Sequence, residues 1–392
     1  MEAYRLTIPM AFQLVIEDVG WWEKSYSAAS NSPFRSGLPR RHHPSDYLAL
    51  ARLGQRLNMR PLIAFVACEW DRSNLLRKIP SATWMGSNWD NRRNVGPWLD
   101  QAAHILRTNQ AHLEIGLHAV GHEYWINGRR SRTEFHDTRG GMRPRDHIRR
   151  HLDAFGDILA QNGLGPFPQA FVPPGLNHSF GDGECGFQRI LNQYGVRFVT
   201  TDLTKAKMHR PRQHPLMAWE EEVLLIERGA APMPWHVCAA APQFTFDRPI
   251  LSLHWANLIH GDVRRNMDVI DRWAAFLKAG LDPLEHMLSP DTATGWSQFV
   301  YRTLGRIRRV GDKFKIDIRD VRKVLPKSIK KQFYLKIQTP LPVDWQIQGG
   351  RIQALETSNE SIQFFCLKPD DLVDTIVLSP GTFHERGQPG GG

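Results

Sequence analysis

The chain has little cysteine. Cys68, Cys185, Cys238 and Cys366 are the only four in 392 residues, and no two share a paired spacing. That excludes a CxxC motif and a disulfide framework, and it suits a reducing compartment. Long apolar runs are also missing, none approaching the length of a transmembrane helix. Met1–Met10 lacks the apolar h-region of a signal peptide. The expectation is a soluble cytoplasmic protein, or a secreted or cell-envelope one if a leader has been removed. No internal repeat is visible. At 41% hydrophobic and 23% charged residues the composition is that of a globular chain, so general disorder is excluded as a starting point.

The length suffices for one large domain and a small one. The net charge of +10 is concentrated: Arg302–Lys331 holds twelve Lys/Arg against three Asp, an excess of nine, leaving the remainder near neutrality. Such a segment meets an anionic polymer, a phosphate or a membrane surface, or is simply a solvated linker face. The 13 Trp suit sugar stacking and core packing alike.

Short, nearly continuous apolar runs predict strands at Phe12–Ile16, Leu62–Ala67, Leu113–Leu117, Ala170–Val172, Val196–Thr200 and Ile250–Leu253. Between them, apolar residues at three-and-four spacing predict helices at Tyr47–Leu57, Trp98–Leu106, Ile148–Leu159, Gly186–Tyr194 and Val269–Leu277. Alternation of this kind implies parallel strands with helical crossovers. Six units are too few for a regular eight-fold barrel, so the expected fold is α/β, a distorted or incomplete (β/α) barrel over residues 1–300. Ligands of such folds bind at the carboxyl ends of the strands.

Between Lys205 and Pro249 the pattern breaks into a stretch rich in Pro, His and Trp, read as an excursion over the active-site face. Residues 301–332 read as a basic linker or helical segment. From Phe333, period-two alternation over Phe333–Thr339, Trp345–Gln348, Arg351–Leu355, Ser361–Leu367 and Thr375–Leu378 predicts a small antiparallel β-module, sandwich-like, over 333–386. The Gly/Pro-rich end, 387–392, reads as a disordered tail.

Chemistry gathers at the predicted strand ends. Leu14–Trp22 is an apolar run closing on adjacent carboxylates, Glu17 and Asp18, then Gly20. Like charges that close need a cation or a shared proton. The strand Leu113–Leu117 runs into His118-Ala-Val-Gly-His122. Two imidazoles there with a carboxylate would make a divalent metal site with room for water; two unrelated surface histidines is the plainer alternative. Phe171-Val-Pro-Pro-Gly175-Leu-Asn177 is a rigid turn suited to presenting amides, or merely a turn. Asp202 follows another strand. His254 and Trp255 close the last one, where a lone histidine is as readily a satisfied buried one.

In this order the pieces resemble the polysaccharide deacetylase family, the NodB-homology carbohydrate esterases, over roughly residues 10–280. The resemblance implies a distorted (β/α) barrel with a divalent metal, zinc most often and cobalt in some members, that removes acetyl groups from a glycan. It assigns Asp18, His118 and His122 to the metal, Glu17 as general base and His254 as the acid that protonates the leaving group. Pro174, Gly175, Asn177, Asp202 and Trp255 fall to substrate and oxyanion binding. The metal would polarise the acetyl carbonyl and acidify water. Departures are specific. The base is normally Asp, and Glu17 is one methylene longer. The Arg that usually precedes the Pro-Gly turn and pairs with the base is absent, Phe171-Val172 holding its places. Asp202 lacks the Trp that usually follows.

Three rivals carry their own expectations. A catalytically silent carbohydrate-binding relative follows from the missing Arg. A glycoside hydrolase would pair Glu17 with Glu220 or Asp202 about the bond and need no metal. A nucleic-acid binder would work through Arg302–Lys331, which lacks interleaved aromatics.

Overall fold

The apolar runs pair as a single nine-stranded sheet. A computed structural model describes residues 4–24, 32–324, 329–340, 343–356, 359 and 361–381. In chain order the sheet strands are β1 (Met10–Val19), β2 (Leu62–Val66), β3 (Glu114–Ala119), β4 (Ala170–Phe171), β5 (Phe198–Thr201), β6 (Met217–Glu220), β7 (Val223–Glu227), β8 (Ile250–His254) and β9 (His286–Leu288). Their spatial order is β6-β7-β5-β4-β3-β2-β1-β8, with β9 also on β1, and only β6 runs antiparallel to its neighbour. The sheet curls through 212° as an open half-barrel. Its seam lies between the β6/β7 edge and β8.

Helices Pro44–Leu57, Pro97–Thr108, Arg145–Gln161, Phe187–Gln193 and Asn266–Ala279 cover the convex face. Alternation along β1 divides the core. Leu14 and Ile16 join the cluster beneath these helices, whereas Val15 joins a second cluster with Leu62, Ala64, Phe198 and Trp296. Trp296 lies on a helix that sequence periodicity had not indicated, Thr292–Leu304.

That second cluster continues into two four-stranded antiparallel sheets. One orders Arg5–Thr7, Phe333–Gln338, Ile362–Pro369 and Gly350–Leu355; the other orders Arg306–Val310, Lys313–Asp317, Thr375–Pro380 and Trp345–Gln348. The expected strands from Phe333 onward are therefore present, joined by one from the chain's start and by a hairpin within 301–332. That hairpin and the short helix Arg319–Val324 together carry most of the basic segment. Arg306 and Lys323 meet Asp320, Arg322 meets Asp374 and Lys330 meets Asp291. Residues 325–328 of that segment and the expected tail 387–392 lie outside the described residues.

The reading of 205–249 as an excursion is corrected in part. Val223–Glu227 is buried at every position and forms β7, parallel to β5. Among the described residues no helix is long and apolar enough to cross a membrane.

Candidate metal centre and catalytic pocket

Glu17 shares the pleat parity of Val15 on β1, so it is carried toward the concave side. Asp18 breaks the pleat. Its φ of 62° is left-handed, and the register of β1 against β2 shifts between Ile16 and Val19. Gly20 follows at φ 124°, where a Cβ would lie 2.1 Å from the Val66 carbonyl oxygen. Only glycine lets the chain turn away so close to β2. Left-handed backbone at a non-glycine residue persists where its surroundings over-determine it, and Asp18 meets that condition at the strand mouth.

His122 is likewise left-handed, at φ 68°. Its loop is held by Glu134, whose carboxylate accepts the Val120 N–H at 3.0 Å and the Gly121 N–H at 2.7 Å. His151 Nδ1 lies 3.0 Å from the same carboxylate. His118, at the end of β3, donates from Nδ1 to the Val172 carbonyl at 2.6 Å. His122 donates from Nδ1 to Glu123 at 2.6 Å. Both rings are thereby oriented with Nε2 toward Asp18 Oδ1, at 3.6 Å and 3.8 Å. These three buried ligand atoms lie within 4.8 Å of one another. Asp18 Oδ1 has no hydrogen-bond partner, which is costly for a buried carboxylate oxygen. Two imidazole nitrogens and an unsatisfied carboxylate, each imidazole backed by an acceptor, suit a divalent cation.

Burial and neighbouring charges oppose each other in this group. Burial pushes the Asp18 carboxyl up, but His118, His122 and His254 outweigh it and hold it below its usual value. Burial works against a charged His122, yet Glu123 and Asp18 on either side push it up to about 9.

Glu17 sits beside this group, 5% exposed. Burial would raise its carboxyl. The Arg228 guanidinium, then His254, His118 and the Ser252 hydroxyl, outweigh that and leave it below the ordinary carboxylate value. Arg228 Nη1 donates to Glu17 Oε1, as does Ser252 Oγ at 2.8 Å. Ser252 and His254 come from β8, where His254 lies in register with Glu17. An arginine does pair with Glu17, then, but it comes from the end of β7 and not from the Pro-Gly turn. The run Val223–Glu227 closing on a charged pair, Glu227-Arg228, repeated the pattern of β1 and was the signal that could have located it.

A cavity of about 300 Å³ opens on these groups. Glu17, Asp18, His122, Gly175, Asp202 and His254 all line it, so the geometry brings together most of the residues singled out from sequence. Asp202 meets Lys205 at 2.9 Å and accepts from Thr204. Pro174 is buried behind Gly175.

Two of the residues singled out from sequence lie away from the cavity lining. Trp255 is 0% exposed, stacked on His42 with ring centroids 3.8 Å apart, and so is a core residue with no face for substrate. Asn177 donates from Nδ2 to the Asp137 carbonyl at 3.2 Å and does not line the cavity. Trp235 and Phe34 are the aromatics that do, with rings 6.2 Å apart and nearly perpendicular. Sequence reasoning did not single out Glu123, Glu134, Ser252 or Arg228. A larger cavity of about 660 Å³ shares Asp202, Gly229 and Ala230 with the first but contains none of the metal-ligand candidates.

No protein-family profile and no curated protein matches this chain. Several solved structures resemble it. A family 4 carbohydrate esterase from Streptomyces lividans, in complex with acetate, is 12% identical; the likeness spans 72% of this chain and 94% of that one at a TM-score of 0.30. A family 4 acetyl xylan esterase from Clostridium thermocellum, in complex with a cobalt ion, is 12% identical over 69% of this chain and 84% of that one, at 0.31. A glycoside hydrolase/deacetylase candidate from Parabacteroides distasonis is 10% identical over 90% and 83%, at 0.39. Scores this low leave the weight on the chain's own geometry.

Proposed function

We propose that the protein is a metal-dependent hydrolase that removes acetyl groups from a poly- or oligosaccharide. The observation that carries this reading is the convergence of Asp18 Oδ1, His118 Nε2 and His122 Nε2, directly beside a carboxylate clamped by Arg228 and Ser252. A divalent ion such as zinc or cobalt, held by those three residues, supplies Lewis-acid polarisation of an acetyl carbonyl and lowers the pKa of water.

The remaining work falls to the chain. Glu17 is kept ionised and so accepts the proton of the attacking water at a carboxylate oxygen. Arg228 and Ser252 fix that carboxylate's orientation, which answers the extra methylene of Glu17. His254, on the neighbouring strand and lining the same cavity, delivers a proton to the departing sugar amine or hydroxyl. Gly175 brings the turn's backbone to the cavity wall, where an amide donates to the developing oxyanion.

Purified protein supplied with zinc should release acetate from N-acetylglucosamine oligomers or an O-acetylated xylan. Glu17→Gln should abolish release while elemental analysis still finds about one metal per chain. A metal-free protein that releases reducing sugar would overturn this reading. A glycosidase pairing of Glu17 with Glu220 finds no support. Glu220 accepts the N–H groups of Gly181 and Gly183 and does not line the cavity.

A further inference from the structure

The charges around the catalytic cavity nearly all have partners. Glu17 pairs with Arg228, Lys205 with Asp202 at 2.9 Å, and Arg35 with Glu69 at 3.2 Å. Asp18 faces the two imidazoles. One cation on the wall is left over. Arg132 is exposed, lines the cavity, and has neither a carboxylate nor a hydrogen-bond acceptor among the described residues. It packs over an aromatic ring. Its guanidinium carbon lies 5.2 Å from the Phe34 ring centroid. On another side, Nε and Nη2 lie 2.9 Å from where a Cβ on Gly175 would be. Gly175 is therefore restricted twice, by a φ of 56° and by this guanidinium.

An arginine without a counter-ion at a cavity wall is a receptor for an anion. Its planar fork suits carboxylate and sulfate oxygens. We infer that the acetylated sugar taken by this site is acidic, bearing a carboxylate or sulfate that Arg132 receives while the acetyl group faces Asp18, His118 and His122. This rests on the deacetylase reading for the acetyl group, and on Arg132 alone for the acid.

The test is calorimetric binding to the zinc-supplied protein at 0.15 M salt of three sugars: N-acetylglucosamine, its 6-sulfate, and N-acetylglucosaminuronic acid. At least one acidic sugar should bind about tenfold more tightly than the neutral one, and Arg132→Gln should bring the two level. Which acid is preferred identifies the substituent. Arg132→Lys, which keeps the charge and loses the fork, should retain only part of the preference. Equal affinities in the native protein, no binding of any of the three, or a preference that survives Arg132→Gln overturns the inference. Acetate release followed alongside separates the two readings. Arg132-dependent binding with no acetate from any sugar leaves this inference standing and sinks the hydrolase. Acetate from the neutral sugar with no preference for the acids does the reverse.

Discussion

Arg228 reaches from the end of β7 across the seam of the half-barrel to the Glu17 carboxylate on β1. Both groups are nearly inaccessible to solvent, at 3% and 6% for the side chains. A buried pair of this kind contributes little net stability while intact, yet removing one partner leaves an uncompensated charge.

Arg228→Met should therefore destabilise the protein by roughly 3–5 kcal/mol, the cost of breaking a buried ion pair. It should also move the chemistry. Arg228 is the foremost influence holding the Glu17 carboxyl down, so its loss lets burial raise that carboxyl. Glu17 must be ionised to act as base, so the acidic limb of the pH–rate profile should shift to higher pH. A profile with an unmoved acidic limb in a folded Arg228→Met protein would count against Glu17 as the base.

Glu123 stands behind His122 as the Val172 carbonyl stands behind His118. Groups in that position typically account for 10–100-fold in metal affinity. Glu123→Gln should weaken zinc binding by about that factor, measured by competition with a chelator. Asp18→Asn and His118→Ala, which remove ligands themselves, should abolish stoichiometric binding. Unchanged zinc affinity in Asp18→Asn would remove the proposed centre.

How much of this was legible in the sequence follows the range of the interactions. Strand and helix periods are local, so β1 to β5 and β8 and their helices could be read. Glu17, Asp18, His118, His122 and His254 were legible because strand ends announce themselves by a switch from apolar to charged. Arg228 follows the same switch after Val223–Glu227, but the surrounding Pro, His and Trp obscured a strand of only five residues. Trp255 shows the opposite failure. It follows a site histidine by one position, yet a 3-10 turn over Trp255–Leu258 carries it into the core. Glu134 acts through tertiary contacts to the His118–His122 loop and Arg132 joins the cavity wall only in the folded chain, and neither leaves a local pattern. The β-module borrows a strand from Arg5–Thr7, pairing it with Phe333–Gln338. No local period reports a pairing over that separation.

His136 and His178 form a second buried histidine pair, rings 5.4 Å apart. Burial pushes His136 down to about 3, with Arg143 adding to the effect. His178 also falls well below its ordinary value, through burial and then His136. A histidine lowered on folding contributes full stability above its unfolded value near 6.5, and loses it as pH falls toward the folded one. Each should cost about 1.4 kcal/mol per pH unit across that window. Urea midpoints measured from pH 7 down to pH 4 should fall steeply in the native protein. His136→Gln should flatten the slope by about one proton's worth. Parallel slopes would show that His136 does not stay neutral in the fold.

Trp255 and Trp235 separate core from pocket. Trp255 is fully buried, stacked on His42 and tilted against Tyr47 at 4.8 Å. Trp255→Ala should cost about 3–5 kcal/mol through the cavity it leaves, and any loss of activity should track the unfolded fraction. Trp235 is half-buried at the cavity wall, edge-on to Phe34. Trp235→Ala removes little buried area, so thermal stability should change by less than about 1 kcal/mol. Its effect should appear as a raised KM for the glycan, because aromatic walls and a few placed polar groups set ligand orientation in such pockets. The two variants make a crossed comparison, one moving stability and the other moving KM. If Trp235→Ala leaves KM unchanged while Trp255→Ala raises it in fully folded protein, the substrate lies on the other side of β8, and the pocket lined by Glu17 and His254 is not where the sugar binds.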